Sequence, residues 1–159
     1  MKPYIQKKPT RSQIDKLISL NENQDFVNLE KQSRFLLDEC PNHSETENFL
    51  GVSLAGQGLY EDSLNIFFKA LADAKKESLK AKILNNIGVS YIKLDDHNHA
   101  INYLRKATLE DPLSVSALFN LANSLRSLGD VKDSLEVYIK ALKIDPNHQN
   151  SIVYYSIAL

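Results

Sequence analysis

One pattern of 34 residues is written twice without a gap, AKILNNIGVSYIKLDDHNHAINYLRKATLEDPLS over residues 81–114 and VSALFNLANSLRSLGDVKDSLEVYIKALKIDPNH over residues 115–148. Gly88 falls on Ala122, Ala100 on Ser134, Ala107 on Ala141, and Asp111-Pro112 on Asp145-Pro146. A fixed period of about 20–50 residues marks a stacked repeat architecture, in which each unit buries its apolar face against its neighbours. That constraint outranks any single-residue clue.

The hydrophobic spacing says what each unit is. Leu118, Leu121, Ala122 and Leu125 form an i, i+3, i+4, i+7 stripe, and Leu135, Tyr138, Ala141 and Leu142 form a second, so each unit reads as two amphipathic helices. Gly129 is placed to end the first helix, because glycine accepts the left-handed conformation a helix terminus needs. Asp130 and Asp133 are placed to cap the second, and Pro146 stops it. Small residues permit close approach: Gly88 and Ala122 are expected to face Ala100 and Ser134, holding the axes about 8–10 Å apart.

The same frame covers most of the chain. Residues 10–43 read as a degenerate unit, and Leu29 and Leu36 stand where later units place Ala or Ser, which predicts looser packing there. Residues 44–80 form a unit three residues longer than its neighbours and without a closing proline, which predicts a longer second helix. Residues 149–159 begin a further unit, with Ile152, Tyr155, Ser156 and Leu159 at the positions of Leu118, Leu121, Ala122 and Leu125. Residues 1–9 read as a basic, extended tail ahead of a single domain over residues 10–159.

The order L-x-x-L-A/G-x-x-L/Y, a small residue, then A-L-x-x-D-P resembles the tetratricopeptide repeat family, closely over residues 44–148 and more loosely outside them. At the fourth position, where that family often has an aromatic, this chain has Glu47, Leu84, Leu118 and Ile152. The resemblance implies an all-α, right-handed α-solenoid of antiparallel helix pairs whose first helices line a concave groove for a peptide or partner protein. It places Asn85, Asn86, Val89, Phe119, Asn120, Asn123, Arg126 and Tyr154 in that groove. Asn86 and Asn120, one period apart, would form an amide ladder able to donate to and accept from an extended backbone. Phe119, Tyr154 and Val89 would be its apolar anchors. The clamp that some members use for an acidic chaperone tail is not matched, because its outer positions hold Asn48, Val52, Ser116 and Asn120.

Other function classes are poorly supplied. Formal charge is −1, from 19 basic and 20 acidic residues, which argues against nucleic acid or an anionic membrane as partner. No apolar run approaches the length of a membrane span, and no apolar stretch follows Lys2 as in a secretory signal. The single Cys40 excludes an intramolecular disulfide, so cytoplasmic residence is expected. His97 and His99 beside Asp95 and Asp96 suggest solvated capping groups before a metal site. With no phosphate loop, nucleophile elbow or spaced carboxylate pair, neither cofactor nor catalysis is expected. The reading is a non-catalytic interaction scaffold. Two rivals stand beside it: the N-terminal, substrate-positioning part of a larger enzyme such as a glycosyltransferase, sulfotransferase or oxygenase, and an adaptor that homodimerises through residues 149–159.

Overall fold

The computed structural model describes residues 7–158, the side chain of Ala158 excepted; residues 1–6 of the expected tail and Leu159 of the expected last unit lie outside the described residues. The chain divides into two compact units, Met1–Ala74 and Lys75–Leu159. The first holds α1 (Arg11–Glu22), α2 (Phe26–Glu39), α3 (Ser44–Gly56) and α4 (Tyr60–Asp73). The second holds α5 (Glu77–Lys93), α6 (His97–Glu110), α7 (Val115–Ser127), α8 (Val131–Ile144) and α9 (Gln149–Ala158). The described residues contain no strand.

Each pair turns through the same device. One residue is left-handed, Gln24 (φ 55°), Gly58 (83°), Asp95 (60°) or Gly129 (86°). In the last of these the Gly129 N–H donates to Arg126 O at 3.0 Å and the Asp130 N–H to Leu125 O at 3.0 Å, the paired bonds that satisfy orphan carbonyls at a helix end. Starts are capped by Thr10, Asp25, Asp96 and Ser114 through side-chain oxygens. Asp130, expected to do the same for α8, makes no side-chain cap bond, although Asp133 keeps its place in the first turn. His43 and His148 use imidazole instead: Nδ1 of each accepts a backbone N–H, from Thr46 at 3.3 Å and Ser151 at 3.2 Å.

The three surplus residues of 44–80 do not lengthen α4. It has 14 residues, the same as α6 and α8, and ends at Asp73 with Ala74 extended. The extra turn belongs to α5, which runs 17 residues against 13 for α3 and α7. Without a proline to mark the boundary, the helix-favouring residues 77–80 run straight into the following helix ahead of the buried Ala81, although they are themselves exposed or half-buried.

The core of Lys75–Leu159 gathers Ala100, Ile101, Leu104, Leu118, Leu121, Ala122, Leu125, Val137, Tyr138 and Ala141. The small positions work as expected, but the side chain they admit is a different one. A Cβ on Gly88 would lie 2.5 Å from Leu104, and one on Gly51 2.5 Å from Phe67, so each glycine receives the residue one turn beyond Ala100 or Ser63. In Met1–Ala74 the first pair packs around Leu17, Leu29, Leu36 and Cys40, and α1 and α2 approach each other less closely than any later pair, as the bulk at Leu29 and Leu36 predicts. Within Lys75–Leu159, α5 touches α7 and α7 touches α9, whereas α6 and α8 do not meet. First helices therefore form the tighter layer of this unit.

Candidate functional site

All eight candidate residues lie on that layer: Asn85, Asn86 and Val89 on α5, Phe119, Asn120, Asn123 and Arg126 on α7, and Tyr154 on α9. Each is partly buried, the usual state of groups that line a face without belonging to the core. They separate into two clusters.

The first is an amide pair. Asn120 Nδ2 donates to Asn85 Oδ1 at 3.1 Å, so Asn85 and Asn120 bridge α5 and α7. This pairing spans one residue more than the repeat of 34. It leaves the Asn85 amide nitrogen and the Asn120 amide oxygen without a partner in the protein, one donor beside one acceptor, the set that an extended peptide unit needs. Exchanging O and N in both amides would preserve that complementarity. The Asn120 backbone carbonyl accepts from Ser124 Oγ at 3.0 Å, which ties its turn down.

The second cluster is aromatic. Phe119 meets Tyr154 edge-on with ring centres 5.5 Å apart, His148 at 5.4 Å and Tyr138 at 6.3 Å. The Arg126 guanidinium lies 5.2 Å over the Tyr154 ring, within cation–π range. Tyr138 Oη donates to Asn123 Oδ1, so Asn123 is committed to the fold through its oxygen. Burial pushes the Tyr138 phenol above its ordinary pKa, and a hydrogen bond from Arg126 opposes that shift. Tyr138 and His148 were not among the sequence candidates. The available signal is the polar tip of Tyr138 at a position where the two preceding units have Phe67 and Leu104.

Elsewhere the polar groups serve structure. Asp96 accepts from the His99 N–H at 3.1 Å and from its Nδ1 at 2.7 Å, and His97 Nε2 lies 3.6 Å from Asp95. Cys40 is buried. Glu47, at the position often aromatic in such repeats, is 1% exposed and paired with Lys69 Nζ at 2.9 Å. No helix among the described residues is long and apolar enough to cross a membrane.

Antiparallel helix pairs, each turned by a left-handed residue, define an all-α helical-repeat solenoid. Family models of the tetratricopeptide repeat match residues 81–112 and 115–148, so these two units are tetratricopeptide repeats. Solved structures share the fold at low identity. YrrB, described as a TPR protein with an unusual peptide-binding site, is 16% identical with a TM-score of 0.72 over 94% of this chain and 76% of its own. MamA is 21% identical with a TM-score of 0.76 over 88% of this chain and 80% of its own. The Cut9–Hcn1 hetero-tetramer of the APC/C gives 17% identity and a TM-score of 0.87 over 92% of this chain and 29% of that one. Repeats of this family act as protein-interaction scaffolds.

Proposed function

We propose that the chain is a non-catalytic scaffold that holds an extended peptide segment of a partner protein on the α5–α7–α9 face. The observation that carries this reading is the Asn85–Asn120 pair: bonded to each other, the two amides still present one donor and one acceptor side by side. Nothing in helix stacking requires that. The Phe119–Tyr154 rings beside it supply the flat, rigid apolar contact that concentrates binding energy. The peptide-binding site described for YrrB supports the choice of a peptide over a folded surface.

The test begins with selection of random peptides of about a dozen residues on the protein. Affinities of the enriched peptides are then compared by fluorescence anisotropy between the parent and an Asn85→Ala/Asn120→Ala variant. Two backbone hydrogen bonds at about 0.5–1.5 kcal/mol each predict a loss of roughly tenfold or more. Equal affinity for both proteins sinks the reading.

A second reading rests on α9, where Ile152, Val153 and Ile157 are 41%, 48% and 64% exposed. Adjacent apolar side chains of this kind suit association with a second copy. Light scattering across a concentration series tests it: an Ile152→Glu/Ile157→Glu variant should remain monomeric where the parent dimerises, and a monomeric parent ends the idea.

A further inference from the structure

We infer that the segment bound on this face carries a carboxylate side chain that docks on Arg126, beside the Phe119–Tyr154 ring pair. The inference rests on the peptide reading above and names the chemistry of its ligand.

Arg126 is held and yet incompletely used. Its guanidinium is fixed over Tyr154 at 5.2 Å, while its Nε is buried without a hydrogen-bond partner. A buried donor of this kind costs free energy until an acceptor arrives, and a fork already held in place loses little further freedom when one does. Three residues earlier on the same helix, Asn123 receives the Tyr138 hydroxyl through Oδ1, which turns its amide nitrogen into a second donor for the same approach. Charge-assisted bonds from two such groups fit a carboxylate better than any neutral side chain.

The surrounding charge agrees. Lys82, Lys93 and Arg126 lie on the row of first-helix positions that carries the site, and α7 and α9 contain no acidic residue at all. The one carboxylate on α5 is Glu77, in its first turn. An acidic segment would therefore meet attraction along the whole face, in its approach as well as in its final contact. A side chain is favoured over a chain-terminal carboxylate as the source. Ser116 and Asn120 stand where a terminal clamp would need cations, whereas the Asn85–Asn120 pair needs a backbone that passes by.

The experiment uses pools of extended peptides of about a dozen residues, acetylated and amidated so that no terminal charge remains, with a central Glu, Gln or Lys in otherwise matched random backgrounds. The expected result is that Glu members bind the parent about tenfold more tightly than Gln members, with Lys members weakest, and that added salt narrows the gap. Arg126→Gln should erase the preference, so that Glu and Gln members bind it equally, and Arg126→Lys should restore part of it. Thermal melts of both variants separate this loss from a loss of fold. Equal binding of Glu and Gln members to the parent, or a preference that survives Arg126→Gln, overturns the inference. If bound peptides still depend on Asn85 and Asn120 but ignore the central charge, the peptide reading stands and this one falls. If free-acid peptides bind and amidated ones do not, the carboxylate is terminal and the proposal is wrong. If no pool binds, both readings fall.

Discussion

The first helix pair and the pair over residues 81–110 solve one packing problem with opposite distributions of bulk. In the regular pair the small residues are Gly88, Ala100 and Ala107, and the large one is Leu104, whose side chain lies against the glycine. In the first pair the corresponding positions hold Leu17, Leu29 and Leu36, and the large position has become Ser33. All four of those side chains are buried. Bulk has moved from one side of the interface to the other and been spread along it. The pair still closes, at the expense of a wider separation and of a hydroxyl, Ser33 Oγ, buried without a partner. The repeat thus prescribes complementary volume, and the particular small residues are one way to meet it.

The sharpest way to break this comparison is to write the first pair's distribution into the regular one. Gly88→Leu alone drives a side chain into Leu104 and should cost about 3 kcal/mol or more. Leu104→Ser alone empties the core and should cost about 3–5 kcal/mol. If the two distributions are interchangeable, the double variant recovers at least about 1 kcal/mol relative to the sum of the singles in urea unfolding. Strict additivity would show that the glycine matters for some reason other than volume. Next in size is Ala100→Leu, which adds bulk at the position of Leu29 without removing any elsewhere. It should cost roughly 1–3 kcal/mol, and an unchanged urea midpoint would show that Ala100 is not a close-contact position.

Much of this could be read from the sequence, and the parts that could not share a cause. Period, helix pairs, left-handed turn at Gly129 and looser first pair all follow from residue type at a fixed spacing, a local property. Composition reports that the three surplus residues favour helix without saying which neighbour will take them, so it points to α4 where the structure extends α5. The period relates Asn86 to Asn120 as equivalent rungs of a ladder facing a ligand, but it says nothing of bonds between the amides themselves, and the one that forms joins Asn120 to Asn85. The eight candidate residues do share one layer, yet their division into an amide pair and an aromatic cluster depends on Tyr138 and His148, which no groove position announces.

Smaller effects test the irregular pair itself. Ser33→Ala should raise stability by about 1 kcal/mol, since it removes a buried hydroxyl that has no partner. Ser134→Ala removes one that donates to Val131 O at 2.7 Å and should bring no such gain. A rise of equal size in both would place the effect in helix propensity. At the turns, Gly129→Ala puts a Cβ at φ 86° and should cost about 1 kcal/mol. Gln24→Gly at φ 55° should shift stability upward by less, because glycine's freedom in the unfolded chain offsets part of the relief.

The smallest expected effect concerns the caps of the second helices, where the two kinds of pair agree. Asp25 accepts from the Asn28 N–H at 3.2 Å and Asp96 from the His99 N–H at 3.1 Å, whereas Asp130 makes no such bond. The His99 backbone N–H and then its ring hold the Asp96 carboxyl below the ordinary aspartate pKa. A depressed folded pKa means that the charged form favours the fold, so the contribution is complete above the unfolded value of about 3.9 and fades as pH falls through the lower folded value. Asp96→Asn keeps an acceptor but carries no charge. Its thermal midpoint should therefore lie below the parent's at neutral pH, and the gap should close as the solution is acidified below about pH 4. A gap that persists unchanged into acid would assign the effect to cap geometry alone, leaving Asp96 equivalent to a neutral cap such as Ser114.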